Sequence, residues 1–125
     1  MQITKPTLAQ AQHVFLLNLA RLINHAASIG LTLSGGELYR TAEQQAIYLK
    51  RGLTRAAYSR HQQRLAVDLN VFVKGQYQRT AEAYQPLGRY WQGLHPLNRW
   101  GGDWNGNQKP DEGFVDANHF EMTLK

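Results

Sequence analysis

Apolar positions first recur at helical spacing in the stretch that opens with Pro6-Thr7. Leu8, Phe15, Leu19, Leu22 and Ala26 share one face at a period of 3.6, Leu16 and Ile23 widen the stripe, and Gly30 ends it. Leu31 to Tyr39 reads as a strand interrupted by Gly35-Gly36. Thr41 stands as an N-cap, with Gln44 placed for a capping box, and predicts a second helix to about Lys50. Arg51 to Arg60 is small and basic, and reads as loop. The pattern then switches to period two. Leu65, Val67, Leu69 and Val71 alternate with Ala66, Asp68 and Asn70, so a strand here puts Asp68 on the face opposite the aliphatic side chains. Gly75 marks a turn. Thr80 to Leu94 predicts a third helix, weakened by Pro86 and Gly88. His95 to Phe114, rich in Gly, Asn and Pro, reads as loop. Phe114 to Leu124 closes as a short strand with His119 and Glu121 on one face, Phe120 and Met122 on the other. The sum is a small α+β domain.

At 125 residues the chain has the size of one domain, and 42% hydrophobic with 18% charged residues is ordinary globular usage. It contains no cysteine, which excludes disulfides, thiolate nucleophiles and every cysteine-based zinc scheme. Any metal must be held by His, Asp and Glu. A net charge of +5 and a pI near 9.7 favour polyanions such as nucleic acid, anionic lipid or bacterial wall polymers. No block of five or more basic residues occurs, which argues against a nucleic-acid arm. Tyr77, Tyr84, Tyr90, Trp91, Trp100 and Trp104 read as core and cleft walls rather than base-stacking platforms. Met1 to Gln12 lacks an apolar signal core, and the apolar run from Val14 to Ile23 is too short to span a bilayer. Synthesis in the cytoplasm without a signal peptide is expected, with no stable membrane association.

Five histidines are candidate ligands or bases. His13 and His25 flank the apolar stripe of the first helix and read as helix-surface residues, and His95 precedes Pro96 at a helix end. His61 and His119 differ through their neighbours, Ser59-x-His61-x6-Asp68 and Asp116-x-x-His119-Phe120-Glu121. A carboxylate within an aliphatic strand is costly unless paired or metal-bound. Two imidazoles and a carboxylate make a zinc set with the fourth position open for water. The same residues also admit a blander reading, in which Asp68 pairs with Arg64 or Arg60 and His119 is a satisfied core histidine.

Ser59-Arg60-His61 through Ala66-Val67-Asp68-Leu69, followed by Asp116-x-x-His119-Phe120-Glu121, resembles the signature of zinc D-Ala-D-Ala metallopeptidases. Tyr39-Arg40-Thr41 with Gln45, and Trp100-Gly101-Gly102-Asp103-Trp104, are similar to further segments of that superfamily, the latter to its endolysin branch. The resemblance spans Tyr39 to Glu121. It implies a hedgehog-like single domain over residues 1–125, with an antiparallel sheet flanked by helices and no separate wall-binding domain. It further implies that His61, Asp68 and His119 bind one zinc ion, that Asp116 is the general base, and that Arg40 stabilises the oxyanion. Ser59 and Gln45 fall at positions near substrate in the family. The implied substrate is the peptidoglycan stem peptide; the oligomeric state is open, with a monomer as the default expectation. Asp rather than Glu at 116 favours the L-alanyl-D-glutamate endopeptidases of phage endolysins over the carboxypeptidases. A lytic role would need a holin-type pore to reach the wall. A D-Ala-D-Ala carboxypeptidase and a non-catalytic zinc module on the same fold are the rivals.

Two features depart from the family pattern or stand outside it. A position that is often Gly between the histidine and the alanine is here Arg64 or Leu65, which predicts a bulky side chain near the cleft. Asp103-x-Asn105-x-Asn107, with Asp111 and Glu112 following, resembles a calcium loop. Gln108 replaces its glycine and Phe114 its bidentate glutamate, so a polar surface loop is the expectation.

Overall fold

The structure is a computed structural model that describes residues 6–109 and 115–124. Its elements are α1 (Leu8–Ser28), β1 (Thr32–Gly35), α2 (Ala42–Lys50), a 3-10 turn (Arg60–Gln63), β2 (Ala66–Val73), β3 (Gln76–Tyr77), α3 (Ala81–Leu94), β4 (Asn98–Trp100) and β5 (His119–Met122). Threonines open all three α-helices. The hydroxyls of Thr7, Thr41 and Thr80 accept the amides of Gln10, Gln44 and Ala83, and Thr7 completes a capping box with Gln10.

The antiparallel sheet runs in the order β1-β2-β5-β4, with β3 paired to β2. Lys74 and Gly75, both at positive φ, make the two-residue turn from β2 into β3. Period-two alternation gives the sheet two faces of opposite character. Val67, Leu69, Val71, Phe120 and Met122 point to the core, which α1 and α3 cover with Phe15, Leu19, Leu22, Leu87 and Trp91. Trp91 is the hub. Its ring meets Phe15 and Phe120 edge-on, and its indole N–H donates to the carbonyl of Glu121 at 2.9 Å. The other face carries Asp68, His119 and Glu121.

Four expectations change. Leu16 and Ile23 do not widen the buried stripe of α1, being 60% and 45% exposed, and Leu8 is also exposed; Ala11 and Asn18 are buried instead. The helix α3 runs unbroken through Pro86, which sits on the solvent side, where water can reach the carbonyl its missing N–H leaves free. Gly88 does not weaken that helix. It is where Trp100 packs, since a Cβ there would fall 2.1 Å from the indole ring. The stretch from His95 contains a strand, β4, whose three residues pair with Met122, Glu121 and Phe120. Among the aromatics, Tyr84, Trp91 and Trp100 are buried, whereas Tyr77 is 45% exposed. Among the described residues no helix is long and apolar enough to cross a membrane.

Candidate active site

The register Asp68↔His119 between β2 and β5 places a carboxylate beside an imidazole on the open face of the sheet. His61 arrives from the 3-10 turn that Ser59 caps, its hydroxyl accepting the amide of His61 at 3.1 Å. Arg64 ends that turn at φ +57°, the left-handed region that favours glycine. The expected crowding of the cleft by Arg64 or Leu65 is therefore corrected. Arg64 swings out to stack over Tyr39 at 4.1 Å, and Leu65 is fully buried in the core. What the position asks of its residue is backbone conformation, not a small side chain facing the cleft.

The segment from Gly36 to Arg40 straps the site together. Gly36 N donates to Asp68 O at 2.8 Å, Asp68 N to Glu37 O at 2.9 Å, and Arg40 N to His61 O at 3.2 Å. His61 Nδ1 lies 2.9 Å from Leu38 O and donates to it, so in the neutral ring Nε2 is the acceptor, and it faces Asp68 Oδ1 at 3.3 Å. A Cβ at position 36 would meet Asp68 O at 2.9 Å, so only glycine lets the strap lie this close.

His61 Nε2, Asp68 Oδ1 and His119 Nδ1 converge, with their candidate ligand atoms all within 4.8 Å of one another. His61 Nε2 is buried and makes no hydrogen bond. An unpaired buried acceptor aimed at a carboxylate is costly in a bare protein and is what a bound cation would satisfy. The donor set therefore fits a zinc ion. Glu121 accepts from His119 Nε2 at 2.8 Å and is itself paired with Arg99 at 3.2 Å, so the ring of His119 is fixed from behind. Burial opposes the charge on Asp68, but its hydrogen bond to His119 and the nearness of both imidazoles outweigh it and hold the carboxyl near 2. Burial likewise opposes the His119 imidazolium, yet Asp68 and Glu121 raise it to about 9.

Asp116 lies 3.9 Å from His119 Nδ1 and is 40% exposed, facing the open side of the triad. Burial lifts its carboxyl above the ordinary aspartate value, against the pull of His119. Arg40 is mostly buried, hydrogen-bonded through Nε to Glu37 Oε1 and through Nη1 to Gln45 Oε1 at 2.7 Å. All of these except Gln45 line one cleft of about 780 Å³, together with Ser59, Tyr58, Arg55 and Trp104. Gln45 does not fit a substrate contact. It is 1% exposed, and its amide is spent on Arg40 and on Ala56 O at 2.6 Å. Ser59 both caps the turn and lines the cleft.

The remaining candidates fall away from the site. Asp103 Oδ2 takes Arg89 at 2.7 Å, Gln92 at 3.0 Å and the amide of Gln108 at 2.9 Å, so it anchors its loop by an ion pair and gives no support to a calcium site. Asp111, Glu112 and Phe114 lie outside the described residues. His25 stacks on Tyr90 at 3.9 Å, and His13 is exposed. His95 Nδ1 accepts the amide of Leu97, so it acts as an acceptor instead of serving the helix carbonyls. Sequence reasoning missed Glu37, Tyr48 and Arg99 as cleft residues. The period-two pattern had placed Glu121 beside His119 without assigning it a role.

Residues 53–122 match the model of the family described as D-alanyl-D-alanine carboxypeptidase. Six chains of known structure match. One is the Serratia marcescens L-Ala D-Glu endopeptidase ChiX, with 22% identity, a TM-score of 0.64, and coverage of 94% of this chain and 89% of that one. Another is the vancomycin resistance D,D-pentapeptidase VanY from a VanB-type cassette, solved with Zn(II), with 21% identity, a TM-score of 0.53, and coverage of 86% and 70%. No curated protein matches. The structural likenesses agree with the observed α+β fold, and the family match covers both histidines, Asp68 and Asp116. The chain belongs to the D-alanyl-D-alanine carboxypeptidase family and is a metallopeptidase that acts on peptidoglycan.

Proposed function

We propose that the chain is a zinc-dependent endopeptidase that cleaves the L-Ala–D-Glu bond of the peptidoglycan stem. The observation that carries the reading is the convergence of His61 Nε2, Asp68 Oδ1 and His119 Nδ1, with the Asp116 carboxylate beside them in an open cleft. His61, Asp68 and His119 would hold the ion. Zinc held there supplies Lewis-acid polarisation of the scissile carbonyl and brings the pKa of water down to about 7.

The chain's own residues account for the rest. Asp116 takes a proton from the attacking water and delivers it to the leaving amine, and its raised pKa suits both transfers. Arg40, permanently charged and fixed by Glu37 and Gln45, faces the negative charge that develops on the carbonyl oxygen. Glu121 holds the ring of His119 in orientation. The likeness to the L-Ala D-Glu endopeptidase ChiX over 94% of this chain supports an endopeptidase over an enzyme that grips only a terminal D-Ala-D-Ala. The net charge of +5 supports action on an anionic wall polymer.

The test is a rate comparison on two synthetic peptides, one presenting L-Ala-γ-D-Glu internally and one ending in D-Ala-D-Ala. Faster cleavage of the first supports the reading. Faster release of D-Ala assigns the chain to the carboxypeptidase branch, and stoichiometric zinc without cleavage of either assigns a binding module.

A further inference from the structure

We infer that Glu37 is a positioning residue that, together with Tyr48, sets the placement of Arg40 relative to the metal-ligand cluster. The inference rests on the role given to Arg40 above. Glu37 bridges two groups, as Oε1 accepts from Arg40 Nε and Oε2 accepts from the Tyr48 hydroxyl at 2.9 Å. The Tyr48 ring lies under the guanidinium, 4.7 Å from its carbon, and Gln45 takes Nη1 at 2.7 Å. An arginine held by one partner still swings on a long flexible stem, whereas contacts at an edge, a face and an end fix its plane.

The clamp is referenced to the reacting centre through the backbone. Asp68 N donates to Glu37 O at 2.9 Å, and Arg40 N donates to His61 O at 3.2 Å. The same residue thus sits against one candidate ligand through its main chain and against the arginine through its side chain. Tyr48 and Gln45, both on α2, tie that helix into the arrangement, and Gln45 extends it to the loop carbonyl of Ala56. A displacement of about 1 Å in a charged donor lowers transition-state stabilisation by roughly 100-fold. Glu37 achieves its effect through Arg40.

The experiment is steady-state kinetics of the zinc-loaded protein on a purified disaccharide-tetrapeptide, with zinc stoichiometry and Tm measured in parallel. Glu37→Ala is expected to lower kcat by about 10- to 100-fold with little change in KM or in bound zinc. Glu37→Gln, which keeps an acceptor for Arg40 Nε, should recover part of the loss. Tyr48→Phe, which should leave the fold intact, should lose less than Glu37→Ala. In an Arg40→Ala background, Glu37→Ala should cost nothing further. An impaired Arg40→Ala alongside Glu37→Ala and Tyr48→Phe at wild-type kcat overturns this inference alone. So do losses that add in the double variant. Wild-type turnover by Arg40→Ala overturns the role of Arg40 itself, and the inference with it.

Discussion

Gly101 and Asp116 lie backbone to backbone, closer than any side chain at 101 would allow. Asp116 N donates to Gly101 O at 2.9 Å, and a Cβ at position 101 would fall 2.0 Å from Asp116 O. Gly101 N also donates to His119 O at 2.8 Å, so one glycine seats both the proposed base and a proposed ligand. Gly101→Ala is expected to cost about 1–3 kcal/mol of stability and to lower kcat by displacing Asp116. Thermal unfolding and kinetics on the same preparation check it, and wild-type values for both would show that the two segments are not tightly coupled.

Asp116→Asn keeps the size of the side chain but exchanges one acceptor oxygen for an NH2 donor and cannot take up the proton. Zinc should remain bound at one equivalent while kcat falls by about two to four orders of magnitude. Metal analysis alongside turnover separates the roles. An Asn variant as fast as the parent would remove Asp116 from the chemistry.

His61→Ala removes the one buried ligand atom that has no hydrogen bond and also strips Leu38 O of its donor. Loss of zinc is expected, together with about 1–3 kcal/mol of destabilisation in the metal-free state. Full zinc occupancy in this variant would exclude His61 from the site.

Stability and metal affinity should respond to pH in opposite directions. In the metal-free protein His119 is raised from 6.5 to about 9, so its contribution is fully present below 6.5 and is lost as pH climbs through 9. Asp68 is lowered from 3.8 to about 2, so its contribution is present above 3.8 and lost as pH falls through 2. The chelated protein should therefore be most stable between about pH 4 and 6.5 and weaken towards pH 9. Zinc competes with the proton on His119 Nδ1, so zinc affinity should rise over the same interval. Melting curves with chelator and zinc titrations at matched pH test both slopes, and a metal-free Tm that rises from pH 6.5 to 9 would contradict the His119–Asp68–Glu121 arrangement.

Much of this site was legible because it follows from local rules. Period-two alternation alone put Asp68 across the sheet from Val67 and Leu69, and put His119 beside Glu121. Thr41 announced the start of α2 as an N-cap, and the structure gives Thr7 and Thr80 the same role in α1 and α3. What escaped depended on contacts made far along the chain. The strand β4 is three residues in a polar stretch and exists because Met122 and Phe120 offer edges to pair with. Glu37 is a lone acid with no local signature, and only the fold brings it to Arg40 and Tyr48. The residue at 64 was read for its size, when what the turn demands there is a positive φ. Gln45 falls at a position near substrate in the family, but here it is buried and hydrogen-bonded to Arg40, which it supports from within.

The central claim is tested most directly by mass spectrometry of purified peptidoglycan digested with the zinc-loaded protein and with a chelated control. The account predicts new fragments beginning with a free D-Glu amine, absent after chelation and restored by one equivalent of zinc. Release of free D-Ala, or no product from a protein that still holds its zinc, would contradict it.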